Sequence, residues 1–176
     1  QQVRITVAGS NELLFDSGPL EILEKTEDLY ALVDDFGPDG TKHANVIRTV
    51  GSNGSTILDD SQPASVRIGN YSEQSPVTAT LGIAVYPNIN KQTRSSTQEA
   101  ENSSVEFTIT DASDTILEAS SGPVTIRAGA FHSIYTFENN TTDATSITRS
   151  LIAIDSFRVV RDRALFKFIN GSNELV

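Results

Sequence analysis

Apolar residues in this chain recur at every second position, in runs too short for helices, and Ser, Asn, Asp and Gly fill the gaps between the runs. Val3, Ile5 and Val7 alternate with Arg4 and Thr6, which predicts a half-buried strand followed by a turn over residues 8–11. Leu13 to Phe15 leads into Ser17-Gly18-Pro19, a turn before Leu20-Glu21-Ile22. Helical spacing occurs only between Leu20 and Leu32, and the Gly-Pro in front of it favours two strands instead. Leu29 to Val33 predicts a strand closed by a turn-rich segment over residues 34–40, with Asp39-Gly40 suited to a hairpin return into residues 44–50. Residues 51–55 predict a flexible break, and Val77 to Tyr86 a single strand ending at Pro87. A polar stretch over residues 88–104 predicts an exposed loop or short edge strand. Strands are predicted again over residues 105–109, 115–117, 124–126, 134–137 and 147–154.

The pattern repeats. Val3-Arg4-Ile5-Thr6-Val7 returns as Val105-Glu106-Phe107-Thr108-Ile109, Ser17-Gly18-Pro19 as Ser121-Gly122-Pro123, and Leu29 to Val33 as Phe131 to Tyr135. A third block, Ala64-Ser65-Val66-Arg67-Ile68-Gly69-Asn70, matches Ala164-Leu165-Phe166-Lys167-Phe168-Ile169-Asn170. Residues 1–58 then read as the second half of a unit, 59–63 as a linker, 64–158 as a whole unit, and 159–176 as the opening strand of another. The fold class expected is all-β, built of immunoglobulin-like β-sandwich units with two repeats and incomplete ends.

A half-sandwich leaves an apolar face wet and a strand edge unpaired. Three arrangements resolve it: the C-terminal strand folds back within the chain, it completes a neighbouring molecule, or the sequence is part of a longer tandem array. Ala164, Phe166, Phe168 and Ile169 are the residues expected to form the assembly strand, with the two phenylalanines on one face.

Composition narrows the chemistry. A net charge of −10 works against a nucleic-acid partner, whose phosphates need a basic surface. No apolar run is long enough for a membrane-spanning helix. Cysteine is absent, which removes disulfides, thiol nucleophiles and thiolate metal sites. Methionine is also absent and Gln1 stands first, which suggests a processed or truncated chain from which any signal peptide has gone.

The opening pattern at residues 164–172, and more loosely at 64–72, resembles that of a bacterial and archaeal family of secreted tandem β-sandwich domains of unknown function. Gly129 to Ile134 and the region around Gly18 to Val33 resemble its later strands, while the long polar stretch at 88–104 departs from it. The resemblance implies a cell-surface β-sandwich and carries over no catalytic residue.

Candidate sites are few. His43 and His132 lack the converging partners that a triad or zinc site needs. Asp34, Asp35 and Asp39 offer hard oxygen ligands for weak calcium binding, though their spacing is not that of an EF-hand and acidic turn chemistry explains them more simply. Asn53, Asn70, Asn102, Asn139, Asn140 and Asn170 begin Asn-x-Ser/Thr triplets and are candidate glycan acceptors if the source glycosylates. No cofactor motif and no catalytic constellation is present. The function expected is a non-enzymatic extracellular structural protein, a head-to-tail homopolymer joined by β-strand complementation. The alternative is a monomeric surface adhesin or carbohydrate-binding module whose loops at 34–40 and 88–104 meet a host surface or glycan.

Overall fold

The computed structural model describes residues 1–21, 28–36, 42–50, 53–100, 103–119, 122–139, 147–155 and 167–170. The fold is all-β, and no helix occurs among the described residues. Strand β1 (Arg4–Thr6) pairs with β2 (Leu13–Asp16), and β3 (Asp28–Phe36), β4 (Lys42–Val50) and β5 (Asn53–Ile57) form an antiparallel meander. The expected break at 51–55 therefore gives way, from Asn53 onward, to a paired strand, because the backbone groups of Asn53 to Ile57 find partners along β4.

The remainder is a β-sandwich. One sheet contains β6 (Ala64–Asn70), β15 (Phe131–Glu138) and β16 (Thr148–Asp155), with the short strands β9 (Thr93–Arg94) and β10 (Gln98–Ala100) on the outer edge of β6. The polar stretch after residue 88 thus supplies edge strands. The other sheet runs β13 (Ile116–Ala119), β12 (Phe107–Thr110), β7 (Val77–Leu81) and β8 (Ala84–Ile89). A small pair, β11 (Ser103–Val105) with β14 (Val124–Ile126), lies beside them.

Period-two alternation explains the packing: β6 buries Ala64, Val66 and Ile68, and β7 buries Val77, Ala79 and Leu81. Tyr86, Phe107, Ile109, Leu117, Ile126 and Ile134 complete one core cluster drawn from both sheets and the small pair beside them. The expected single strand from Val77 to Tyr86 is instead a hairpin. Gly82, with φ of +58°, and Ile83, 91% exposed, form its two-residue turn, and a glycine at the first central position is what such turns favour. Pro87 is tolerated inside β8 because β8 is an edge strand.

The repeat is visible as shared geometry. In the first hairpin the Val7 amide donates to the Glu12 carbonyl and the Ser10 amide to the Val7 carbonyl, both at 3.0 Å. The second hairpin repeats this with Asp111 to Thr115 at 3.0 Å and Asp114 to Asp111 at 3.2 Å. Each also breaks register at one place, between Ile5 and Thr6 and between Ile109 and Thr110. Val3–Val7 therefore correspond to Phe107–Asp111, two residues beyond the match made on sequence. A slip of two leaves strand alternation unchanged, so sequence pattern could not detect it.

Residues 59–63, expected as a linker, are bonded to both sides. The Asp16 amide donates to Asp59 Oδ1 at 3.0 Å, and the Asp60 amide to the Asp16 carbonyl at 2.6 Å. On the other side the Gly129 amide donates to the Gln62 carbonyl at 3.0 Å. Gly129 has φ of +63°, and a Cβ there would lie 2.5 Å from the Asp59 carbonyl oxygen, so only glycine fits without rearrangement.

Candidate functional site

Strand β15 is paired on both edges, antiparallel to β16 and parallel to β6, with Ile134 beside Ile68. Its repeat counterpart β3 pairs with β4 in the same sense, Leu32 standing opposite Val46 as Ile134 stands opposite Ile152. Among the described strands, β3 lies at the edge of its sheet. The seat that β6 fills on β15 has no described occupant on β3.

Burial marks the same difference. Ile134 is fully buried, whereas its counterpart Leu32 is 52% exposed. The shared turn and bulge make Leu14 the counterpart of Leu117, and these are 43% and 2% exposed. Two positions that are core in the second unit are wet in the first. Covering one leucine side chain contributes about 1.5–3 kcal/mol, so this face favours an occupant.

The C-terminal block offers the matching sequence. Val66 and Ile68, both fully buried in β6, correspond to Phe166 and Phe168. Of the expected assembly residues, Ala164 and Phe166 lie outside the described residues, Ile169 is half-buried, and Phe168 is 94% exposed. Lys167, the counterpart of Arg67, bonds to Asp155 and donates to the Ile154 carbonyl at 2.9 Å. Asp155 also accepts from Arg67 Nη2 at 3.0 Å and from the Ser133 hydroxyl, while Arg67 Nε donates to Ser133 Oγ at 2.8 Å. Desolvation pushes the Asp155 carboxyl up, but hydrogen bonds from Lys167 and Ser133 and the nearby cations outweigh it and hold the carboxyl below its ordinary value. Sequence reasoning missed this node, although outward positions on paired strands carrying Arg67, Ser133 and Asp155 would have suggested it once the pairing was known.

The other expected sites disperse. Asn70 is fully buried: its Nδ2 donates to the Gln74 and Ile89 carbonyls at 2.7 and 3.2 Å, and its Oδ1 accepts from the Ser72 amide and hydroxyl. In this fold it acts as a structural amide, its side chain bonded on both sides inside the sandwich. Asn53 and Asn170 are exposed, Asn139 is half-buried, and Asn102 and Asn140 lie outside the described residues. Asp34 and Asp35 fall within β3, not in a turn as expected, because the strand runs on to Phe36; Asp39 lies outside the described residues. No group of three or more potential metal ligands occurs among the described residues. His43 lies in β4, in register with Asp35. His132 is 2% exposed, and its Nε2 accepts from the Arg127 amide at 3.1 Å. Burial pushes its pKa down, which suits a neutral ring inside the sandwich.

No helix among the described residues is long and apolar enough to cross a membrane. No protein-family model matches this sequence, and no curated protein matches it. Among solved structures it is similar to the C-terminal domain of AlgF from P. aeruginosa, at 20% identity and a TM-score of 0.39, over 53% of this chain and 99% of that one. A likeness that distant carries no argument about fold or function.

Proposed function

We propose that this chain is a non-enzymatic extracellular structural protein whose immunoglobulin-like β-sandwich units join head to tail by strand complementation. The observation that carries this reading is the contrast between β15 and β3: one is flanked by β6, and the other lies at the edge of its sheet among the described strands, with Leu32 half exposed. The occupant is the β6-like block at residues 164–170 of a second copy, which would bring Phe166 and Phe168 where Val66 and Ile68 lie in the complete unit. Backbone hydrogen bonds would give the joint its strength and the buried rings its register. A contact of this head-to-tail kind does not close on itself, so it propagates. The resemblance to secreted tandem β-sandwich domains supports a place outside the cell.

Parallel pairing of Ile68 with Ile134 predicts that Phe168 sits beside Leu32 of the neighbour. This sequence has no cysteine, so the double variant Leu32→Cys/Phe168→Cys reports this contact alone. Under mild oxidation, a ladder of covalent oligomers on denaturing gels is the expected result. A cross-linked monomer would show closure within the chain, and a chain without cross-links would remove strand complementation altogether.

A further inference from the structure

Between β13 and β16, on the open side of the sandwich, lies a cleft of about 420 Å³. Its lining combines the carboxylate of Glu118, the hydroxyls of Thr148 and Ser150, the amide side chain of Asn139, and the apolar side chains of Phe107 and Ile152. Glu118 Oε2 accepts from Ser150 Oγ at 2.8 Å and from Thr148 Oγ1 at 3.3 Å, and neither hydroxyl donates to Oε1. Ser150 spends its proton on Glu118 and so accepts from Thr136 Oγ1, 3.0 Å away. A small polar network thus holds the carboxylate in place.

The repeat shows that this polarity is not required by the fold. The shared bulge makes Phe15 the counterpart of Glu118, and the matching registers of β3–β4 and β15–β16 make Ala44 and Val46 the counterparts of Ser150 and Ile152. In the first unit Phe15 and Val46 are 0% and 1% exposed. Where the first unit buries Phe15, the second has a carboxylate at the same position, beside a serine where the first has alanine, and a hollow. Burial raises the Glu118 carboxyl above its ordinary value, a cost that phenylalanine at this position avoids. Stability alone therefore does not explain Glu118.

We propose that this cleft binds a neutral sugar unit. A sugar ring has a hydroxyl edge, which suits a carboxylate acceptor beside hydroxyls and an amide, and a C–H face, which suits the exposed side chain of Ile152. The volume lies in the range of small-molecule sites, roughly 300–1,000 Å³. Among the described residues Glu118 is the one carboxylate lining the cleft and Arg149 lines it too, which disfavours a cationic occupant; Glu118 itself disfavours an anionic sugar. This inference is independent of strand complementation and stands or falls separately from the cross-linking result.

The test is a titration of the isotope-labelled full chain, followed by amide chemical shifts, with millimolar glucose, galactose, mannose, N-acetylglucosamine and, as a contrasting cation, methylammonium. Saturable shifts centred on β13 and β16 are expected with at least one sugar. Glu118→Phe, which restores the first unit's residue, should abolish them; Glu118→Gln should weaken binding by roughly tenfold, the step from a charge-assisted to a neutral hydrogen bond. If Glu118→Phe does not fold, the Glu118→Gln measurement decides the matter. Absence of saturable shifts with every sugar, shifts elsewhere, indifference to Glu118→Gln, or a response to methylammonium alone would each overturn the assignment.

Discussion

His132 faces the interior of the sheet beside Val66 of β6 and Ile154 of β16, and its environment sets a pH dependence that can be measured. Desolvation lowers its folded pKa below the ordinary value of 6.5, and protonation would turn Nε2, which now accepts from Arg127, into a donor facing an amide. Above the unfolded pKa both states are neutral and nothing is lost. As pH falls through that value the unfolded chain takes up a proton that the folded chain resists, so stability declines until the folded pKa is reached. Urea midpoints measured between about pH 7.5 and 5.5 should fall, and His132→Gln should flatten that part of the profile. A slope unchanged in the variant would place the titrating group elsewhere. The sequence offered His132 as a poor candidate for chemistry, and its repeat counterpart Tyr30 signalled a strand position; that the ring is buried depends on β6 covering it.

At the scale of single elements, the two equivalent hairpins should differ sharply in what they contribute. Leu117 is a core residue packed between sheets, so Leu117→Ala should cost about 2–5 kcal/mol through lost burial and a residual cavity. Leu14 occupies the same bulged position and is 43% exposed, so Leu14→Ala should cost well under about 1 kcal/mol in the dilute monomer. Denaturant titration of the two variants decides this, and equal losses would mean that the face of β2 is covered in solution. The hairpins themselves were legible in the sequence, since alternation and turn residues predict them. The joining of β7 and β8 was not, because Gly82-Ile83 interrupts an apolar run without changing its alternation. The register of β1 against its copy was hidden for a related reason: strand pattern is blind to a shift of two.

At the scale of the whole molecule, the second unit contains both sheets of its core within residues 64–155, and none of the described residues of the C-terminal block, 167–170, belongs to that core. Ending the chain at residue 162 should therefore leave the sandwich folded, with its thermal midpoint retained. Assembly should be lost, as read by light scattering and negative-stain microscopy. Polymers that persist in the shortened chain would show that the β6-like block is not the joint. The bonded segment around Asp59 adds a constraint, because it fixes β2 to the sandwich through Asp16 and places the face of the first unit at a set position along the chain.

The sequence by itself determined the class and the repeat: alternation with a period of two, turn-forming residues between short runs, and blocks that return about a hundred residues later require an all-β chain of similar units. These properties are local, so they survive without knowledge of what lies alongside. The tertiary structure decided which strands are neighbours, and with that which equivalent positions are equal in fact. Only pairing shows that Ile134 is covered while Leu32 is not, that Asn70 is a buried structural amide, and that Phe15 and Glu118 occupy one position with opposite chemistry. Burial and cavity formation depend on contacts between residues far apart in sequence, and a periodic pattern carries no record of them.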